Sequence, residues 1–214
     1  SLPNNLKVEG NKDSTENILW SINDIISYLT NGKNILISSL GGSGKSSTLS
    51  IIEKHLINSF NDIEYVPIKI KLRSYSRNTL KQRINDELNI NYGSWKSLPF
   101  KFIFLFDALD EMIQSDTQSF IDELTTITQG YNFILTIRST GLNIETVMPL
   151  LDYCISIQPL SYRSAFQIAE KTFQDEELKI FYNEYRNRLS SIGFNFLSLP
   201  FVLSMTIDFY KKNK

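Results

Sequence analysis

The chain has 214 residues, 42% of them hydrophobic and 21% charged, which suits one large domain or one domain with a small satellite. Its formal net charge of −1 gives no global field toward nucleic acid or an anionic membrane, and no apolar run approaches the roughly 18 residues that a membrane span needs. The single cysteine, Cys154 in the run YCISI, excludes an intrachain disulfide; it reads as core filler and fits a reducing, cytoplasmic setting.

The N-terminal stretch SLPNNLKVEGNKDSTEN is polar and lacks the apolar segment of a secretory signal. The chain starts at Ser1 and stops at FYKKNK, just after an apolar helical pattern, so it is expected to be a piece of a longer protein. Five apolar, β-branched runs then recur at strand length: NILIS 34–38, EYVPIKIKL 64–72, KFIFLF 101–106, NFILTI 132–137 and YCISIQ 153–158. The third and fourth are almost continuously apolar, as strands covered on both faces should be.

Helical patterns separate them. SSTLSIIEKHLINSF puts Leu49, Ile52, Leu56 and Phe60 on one face. RSYSRNTLKQRINDELNINYGSWKSLP, 73–99, predicts a helix around 79–88 and then a loop. SDTQSFIDELTTITQG offers Ser115 or Asp116 as N-cap, buries Phe120, Leu124 and Ile127, and stops at Gly130. Strands alternating with helices imply a parallel sheet with helices on both faces, an α/β domain over residues 1–159. After residue 160 the strand signals end, and three helices are expected, the first capped by Ser161: an all-α lid subdomain over 160–214.

The stretch SSLGGSGKSST, residues 38–48, lies between a strand and a helix. Helix N-terminal N–H groups lack intrahelical partners, and glycines allow a tight turn and close backbone approach. Together they form an anion nest from Gly41, Gly42, Ser43, Gly44, Lys45, Ser46 and Ser47. In the P-loop pattern G-x-x-x-x-G-K-[ST], Lys45 reaches the β- and γ-phosphates and the Ser46 hydroxyl coordinates Mg²⁺. The first glycine of that pattern is replaced by Ser39. Downstream, FIFLFDALDEM ends an apolar strand in Asp107, the expected partner of Mg²⁺, followed by Asp110 and Glu111. Either of these two could activate or orient water.

The pattern FLFDALDE resembles the Walker B segment of NACHT domains, of the STAND class of signal-transduction ATPases, itself close to AAA+ proteins. GGSGKSS resembles the NACHT form of Walker A, with Gly42 as the extra internal glycine. FILTIRS resembles the sensor-1 segment, with Thr136 and Arg138 at its strand end, and LSLPFVLSM resembles the helical segment whose proline, here Pro200, lies near adenine. The resemblance spans about residues 18–205. It implies a five-stranded parallel sheet in order 5-1-4-3-2, the sensor strand lying between the two Walker strands and Arg138 near the γ-phosphate. It also implies ATP or ADP with Mg²⁺, sensor and effector domains elsewhere in the protein, and homo-oligomerisation on activation in a regulatory, immune or antiviral role.

Four functional classes follow: a slow STAND-type switch, a cycling AAA+-like motor or loader, a small-molecule phosphotransferase, and a binding module without turnover. The phosphotransferase would need an acceptor pocket and basic lid residues, where DALDE supplies acids. No guanine-reading N-K-x-D motif is present. His55, the only histidine, has no cluster of metal-ligating neighbours and is expected to be structural or exposed. The basic residues of KIKLRSYSRNTLKQR read as a solvated edge, so nucleic acid is not an expected partner.

Overall fold

In the computed structural model, residues 6–10, 18–77, 79–89, 96, 98–139, 144–174, 176–181, 183 and 196–212 are described. Most of the expected loop at 89–99 and most of the expected second lid helix lie outside them. In chain order the strands are β1 (Leu6–Gly10), β2 (Ile18–Trp20), β3 (Ile35–Ser39), β4 (Tyr65–Lys71), β5 (Lys101–Asp107), β6 (Asn132–Arg138) and β7 (Tyr153–Ile157). The helices are α1 (Ile22–Thr30), α2 (Lys45–Asn58), α3 (Phe60–Ile63), α4 (Leu80–Leu88), α5 (Thr117–Ile127), α6 (Tyr162–Glu170) and α7 (Pro200–Lys212).

The strands form one sheet in the order β2-β1-β7-β3-β6-β5-β4. Strands β7, β3, β6, β5 and β4 are parallel, and numbered among themselves they run 5-1-4-3-2, as expected. Strand β6 therefore lies between β3, which leads into the phosphate loop, and β5, which ends in the acidic segment. The sheet also extends beyond the five expected strands: β1 and β2 add an antiparallel pair on the β7 edge, with Leu6 opposite Ile157 and Gly10 opposite Tyr153. At the other end β4 is the edge among the described residues. It carries Pro67, Lys69 and Lys71, and Lys69 contacts the Ser50 hydroxyl at 2.6 Å and the Glu53 carboxylate at 3.7 Å on α2.

Side-chain alternation separates two cores. Phe102, Phe104 and Phe106 of β5 face α4 and α5, whereas Ile103 and Leu105 of the same strand face α1 and α2. Each face is thus closed by its own helices, which is why the run reads as continuously apolar. A third cluster contains only residues from Leu160 onward, among them Ala165, Ala169, Phe181, Leu197 and Leu203.

Two of the helix starts are closed by side-chain caps, at Ser21 and Ser161. Ser21 and Asp24 form a reciprocal capping box on α1, an unexpected helix whose Ile22, Ile25, Ile26 and Leu29 recur at helical spacing. Ser161 caps α6 by accepting from the Ser164 N–H at 3.1 Å, as expected. At α5, Asp116 holds the N-cap position without capping. Its carboxylate instead accepts from Arg77 Nε at 2.9 Å, so the expected cap is diverted into an ion pair. Helix α2 ends at Asn58, short of the expected Phe60, and His55 on it is exposed. The third lid helix starts at Pro200, where the ring fixes φ and the missing N–H costs nothing at a helix start. Among the described residues no helix is long and apolar enough to cross a membrane.

Candidate functional site: a phosphate loop facing an acidic strand end

The turn after β3 opens directly into α2, whose N-cap position is Gly44 in the left-handed region at φ 94°. No side chain caps this helix, so its first-turn N–H groups remain available to a ligand. Gly42 is also left-handed, at φ 77°. A second constraint acts on it: a Cβ there would lie 3.3 Å from the Phe201 Cβ of α7. The Phe201 N–H donates to the Gly42 carbonyl at 3.2 Å, so the first turn of α7 sits directly on the phosphate loop.

Gly42→Ala should therefore destabilise the fold by about 1–2 kcal/mol from backbone strain alone, and should also push Phe201 off the loop. Gly41, with nothing within 4 Å of its notional Cβ and no left-handed φ, provides the matched control. Urea unfolding of the two alanine variants is expected to separate them, with Gly41→Ala close to the parent.

Lys45 is only 9% exposed. Its ammonium donates to the Ser39 carbonyl at 3.3 Å, the Ser39 hydroxyl at 3.2 Å and the Leu40 carbonyl at 3.3 Å. Burial pushes its pKa below the usual lysine value; Asp110, Asp107 and Glu111 pull it back up, while Arg138 adds to the depression. A phosphate would supply the negative charge that this desolvated cation lacks.

The acidic segment lies opposite. Asp107 is buried at the end of β5, and its Oδ1 accepts the Thr136 hydroxyl at 2.9 Å. Thr136 Oγ1 in turn accepts the Ala108 N–H at 2.8 Å. Ala108 is left-handed at φ 63°, a conformation that costs a residue with a Cβ roughly 1–2 kcal/mol. Arg138, at the end of β6, grips both following carboxylates. Its backbone N–H donates to Asp110 Oδ1 at 2.8 Å, its Nε lies 3.1 Å from Asp110 Oδ2, and its Nη2 lies 2.7 Å from Glu111 Oε1. The side chain of Asp110 is 8% exposed and that of Glu111 33%.

These groups line one cleft of about 390 Å³. Of the residues expected at the site, Gly42, Gly44, Lys45, Ser46, Ser47, Asp107, Asp110, Glu111, Arg138 and Pro200 all reach it. Gly41 is exposed outside that lining. Ser43 is buried beneath the loop, its hydroxyl without a hydrogen-bond partner among the described residues. Phe201, Ser204 and Ala108 also line the cleft and were not anticipated; only the LPF run next to Pro200 hinted at Phe201. A larger cavity of about 670 Å³ lies between α4 and α5, walled partly by Arg77 and Glu123. Both of those are already engaged, Arg77 with Asp116 and Glu123 with the Leu80 N–H and the Tyr75 hydroxyl. The smaller cleft is the candidate site because the loop and the acidic strand end converge there.

The chemistry of the donor set fits a nucleoside phosphate with Mg²⁺. Uncapped N–H groups at the start of α2 and one desolvated ammonium suit phosphate oxygens. Among the described residues no group of three or more His, Cys, Asp or Glu is gathered to hold a metal. Mg²⁺ with phosphate needs no such group, since one or two protein oxygens suffice alongside phosphates and waters. Ser46 and Asp107, which both line the cleft, are the residues that would hold it.

No protein-family model matches the sequence, and no curated protein matches it. Solved structures do. The Orc1 protein of Aeropyrum pernix, solved in complex with DNA, aligns at TM-score 0.58 and 12% identity over 89% of this chain, which spans 58% of the Orc1 chain. PCH-2 of C. elegans aligns at TM-score 0.55 and 14% identity, covering 90% of this chain and 68% of its own. Both are AAA+ P-loop ATPases. At such identities the likeness carries the fold alone.

Proposed function

Given the AAA+-like P-loop α/β fold, we propose that this chain is an ATP- and Mg²⁺-binding ATPase module. One observation carries the reading: Lys45, Asp107 and the Arg138–Asp110–Glu111 cluster, drawn from three neighbouring strand ends, line the same cleft as the uncapped start of α2. Lys45 and the loop N–H groups bind the phosphates. Ser46 and Asp107 hold the metal, which when bound neutralises phosphate charge and orders attached water. Pro200 and Phe201 border the cleft where the base would lie.

The two remaining carboxylates divide the work. Asp110 is buried and doubly engaged by Arg138, which suits an anchor for that arginine. Glu111 is more accessible and pairs with it once, which suits orienting the attacking water. Glu111→Gln should spare ATP binding and slow single-turnover hydrolysis by about 10²-fold or more. Asp110→Asn should slow hydrolysis and also lower stability, because the Arg138 ion pair is lost. If either variant loses binding as completely as a Lys45 variant does, this division is wrong.

The finer reading is a STAND-type switch of the NACHT kind. Its support is the order of sequence segments together with the contact between α7 and the phosphate loop, which lets nucleotide state bias the lid. A cycling AAA+-like ATPase fits the fold neighbours at least as well. Steady-state hydrolysis beside light scattering separates the two. The switch predicts a nucleotide-retaining monomer turning over well below about 1 s⁻¹, because no second subunit supplies an arginine finger. Faster turnover favours the cycling enzyme. Partner domains, oligomerisation on activation, a role in antiviral defence and a cytoplasmic setting belong to the switch reading and stand or fall with it.

A further inference from the structure

Ser39 occupies the position where the phosphate-loop pattern has its first glycine. It is 2% exposed, at the last residue of β3. Its hydroxyl proton is committed, because Oγ donates to the Leu40 carbonyl at 3.1 Å. The oxygen lone pairs are therefore free to accept, and Lys45 Nζ reaches them at 3.2 Å. The Ser39 carbonyl receives Lys45 Nζ at 3.3 Å and the Ser139 N–H at 2.9 Å. With the Leu40 carbonyl at 3.3 Å, three acceptors meet an ammonium that has three donors. Glycine would supply the same carbonyl but no hydroxyl, and one donor of a desolvated cation would be left over.

We infer that Ser39 is a positioning residue for Lys45: its hydroxyl holds the ammonium against the loop in the nucleotide-free protein and competes with phosphate oxygen for it. The inference rests on the phosphate-binding reading of the loop. A phosphate oxygen that draws Lys45 into the cleft must take a donor from Ser39 or Leu40. The hydroxyl bond stabilises the empty loop and so lowers affinity for the ligand. A side chain that merely fills the strand end would change stability without this opposing effect on binding.

The probe is inorganic tripolyphosphate without metal, titrated calorimetrically into the parent chain, Ser39→Ala, Ser39→Gly and Ser39→Thr. Ser39→Ala and Ser39→Gly should bind roughly three- to tenfold more tightly, the share of a charge-assisted hydrogen bond left after water substitution. Ser39→Thr, which restores the hydroxyl, should bind like the parent. In the nucleotide-free protein, urea unfolding of Ser39→Ala, Lys45→Met and the double variant should be non-additive, because the two side chains touch. Unchanged or weaker binding by Ser39→Ala overturns the competition, and an additive cycle overturns the contact. If the parent chain binds no tripolyphosphate, the phosphate reading and the competition fall together, and the unfolding cycle alone still decides whether Ser39 holds Lys45.

Discussion

Lys45→Ala is expected to abolish tight nucleotide binding in a chain that still folds. The ammonium is the only cation among the phosphate-loop residues 38–48, and it belongs to the first residue of the uncapped helix α2. Charge-assisted hydrogen bonds of this kind contribute roughly 1.5–3 kcal/mol each. Removing two such bonds to phosphate at once should weaken affinity by about 10²–10⁴. Stability should change much less. Burial disfavours the charged form of Lys45, so removing it relieves a desolvation cost, while the Ser39 carbonyl keeps the Ser139 N–H and the Leu40 carbonyl keeps the Ser39 hydroxyl as donors. Calorimetric titration with ATP and Mg²⁺, beside thermal unfolding, checks both halves. Undiminished affinity in a folded variant would remove the basis for the phosphate reading.

Asp107→Asn should separate metal from phosphate. The amide oxygen of asparagine can still accept the Thr136 hydroxyl, so the link between β5 and β6 survives the change. Only the charge is lost. ATP affinity should fall by about tenfold or more with Mg²⁺ present and change little when a chelator removes it. The nucleotide-free protein should change little in stability, because the Thr136 link is kept and only the attraction between Asp107 and Lys45 is lost. Titrations with and without Mg²⁺ decide the matter; equal losses in both would point to a role for Asp107 in shaping the cleft rather than in holding metal.

Much of the parallel core was legible because its signals are local. The β5 run alternates between two buried faces, and glycine, lysine and serine mark the turn into α2. The carboxylates follow their strand in sequence, so their place at its end could be read directly. What escaped depended on distant pairing. Strand β1 is short, lies in a polar stretch of sequence and finds its partner β7 far along the chain, with Leu6 paired to Ile157, 151 positions away. The grip of Arg138 on Asp110 and Glu111 depends on two strand ends lying side by side, which sequence spacing does not encode. Ser39 read only as a departure from a pattern, since its hydroxyl gains meaning when Lys45 folds back over it. Helix α1 was legible too, in the Ser21–Asp24 capping box and in Ile22, Ile25, Ile26 and Leu29 at helical spacing, although it was not among the expected helices.

The two margins of the sheet are unlike, and that bears on how copies of this chain could assemble. At the β4 margin, Pro67 removes a donor, and a proline on an edge strand turns its missing N–H outward. Lys69 is drawn toward Ser50 and Glu53, and Lys71 adds a second charge. A neighbouring strand that tried to add there would meet an interrupted ladder and cationic side chains. Fibril-like growth by continuing the β-sheet is disfavoured on that side. Any ring or cluster of subunits would have to be built through helices, loops or the opposite margin, and electron micrographs of such particles should lack sheets running on from the β4 edge of one subunit into the next.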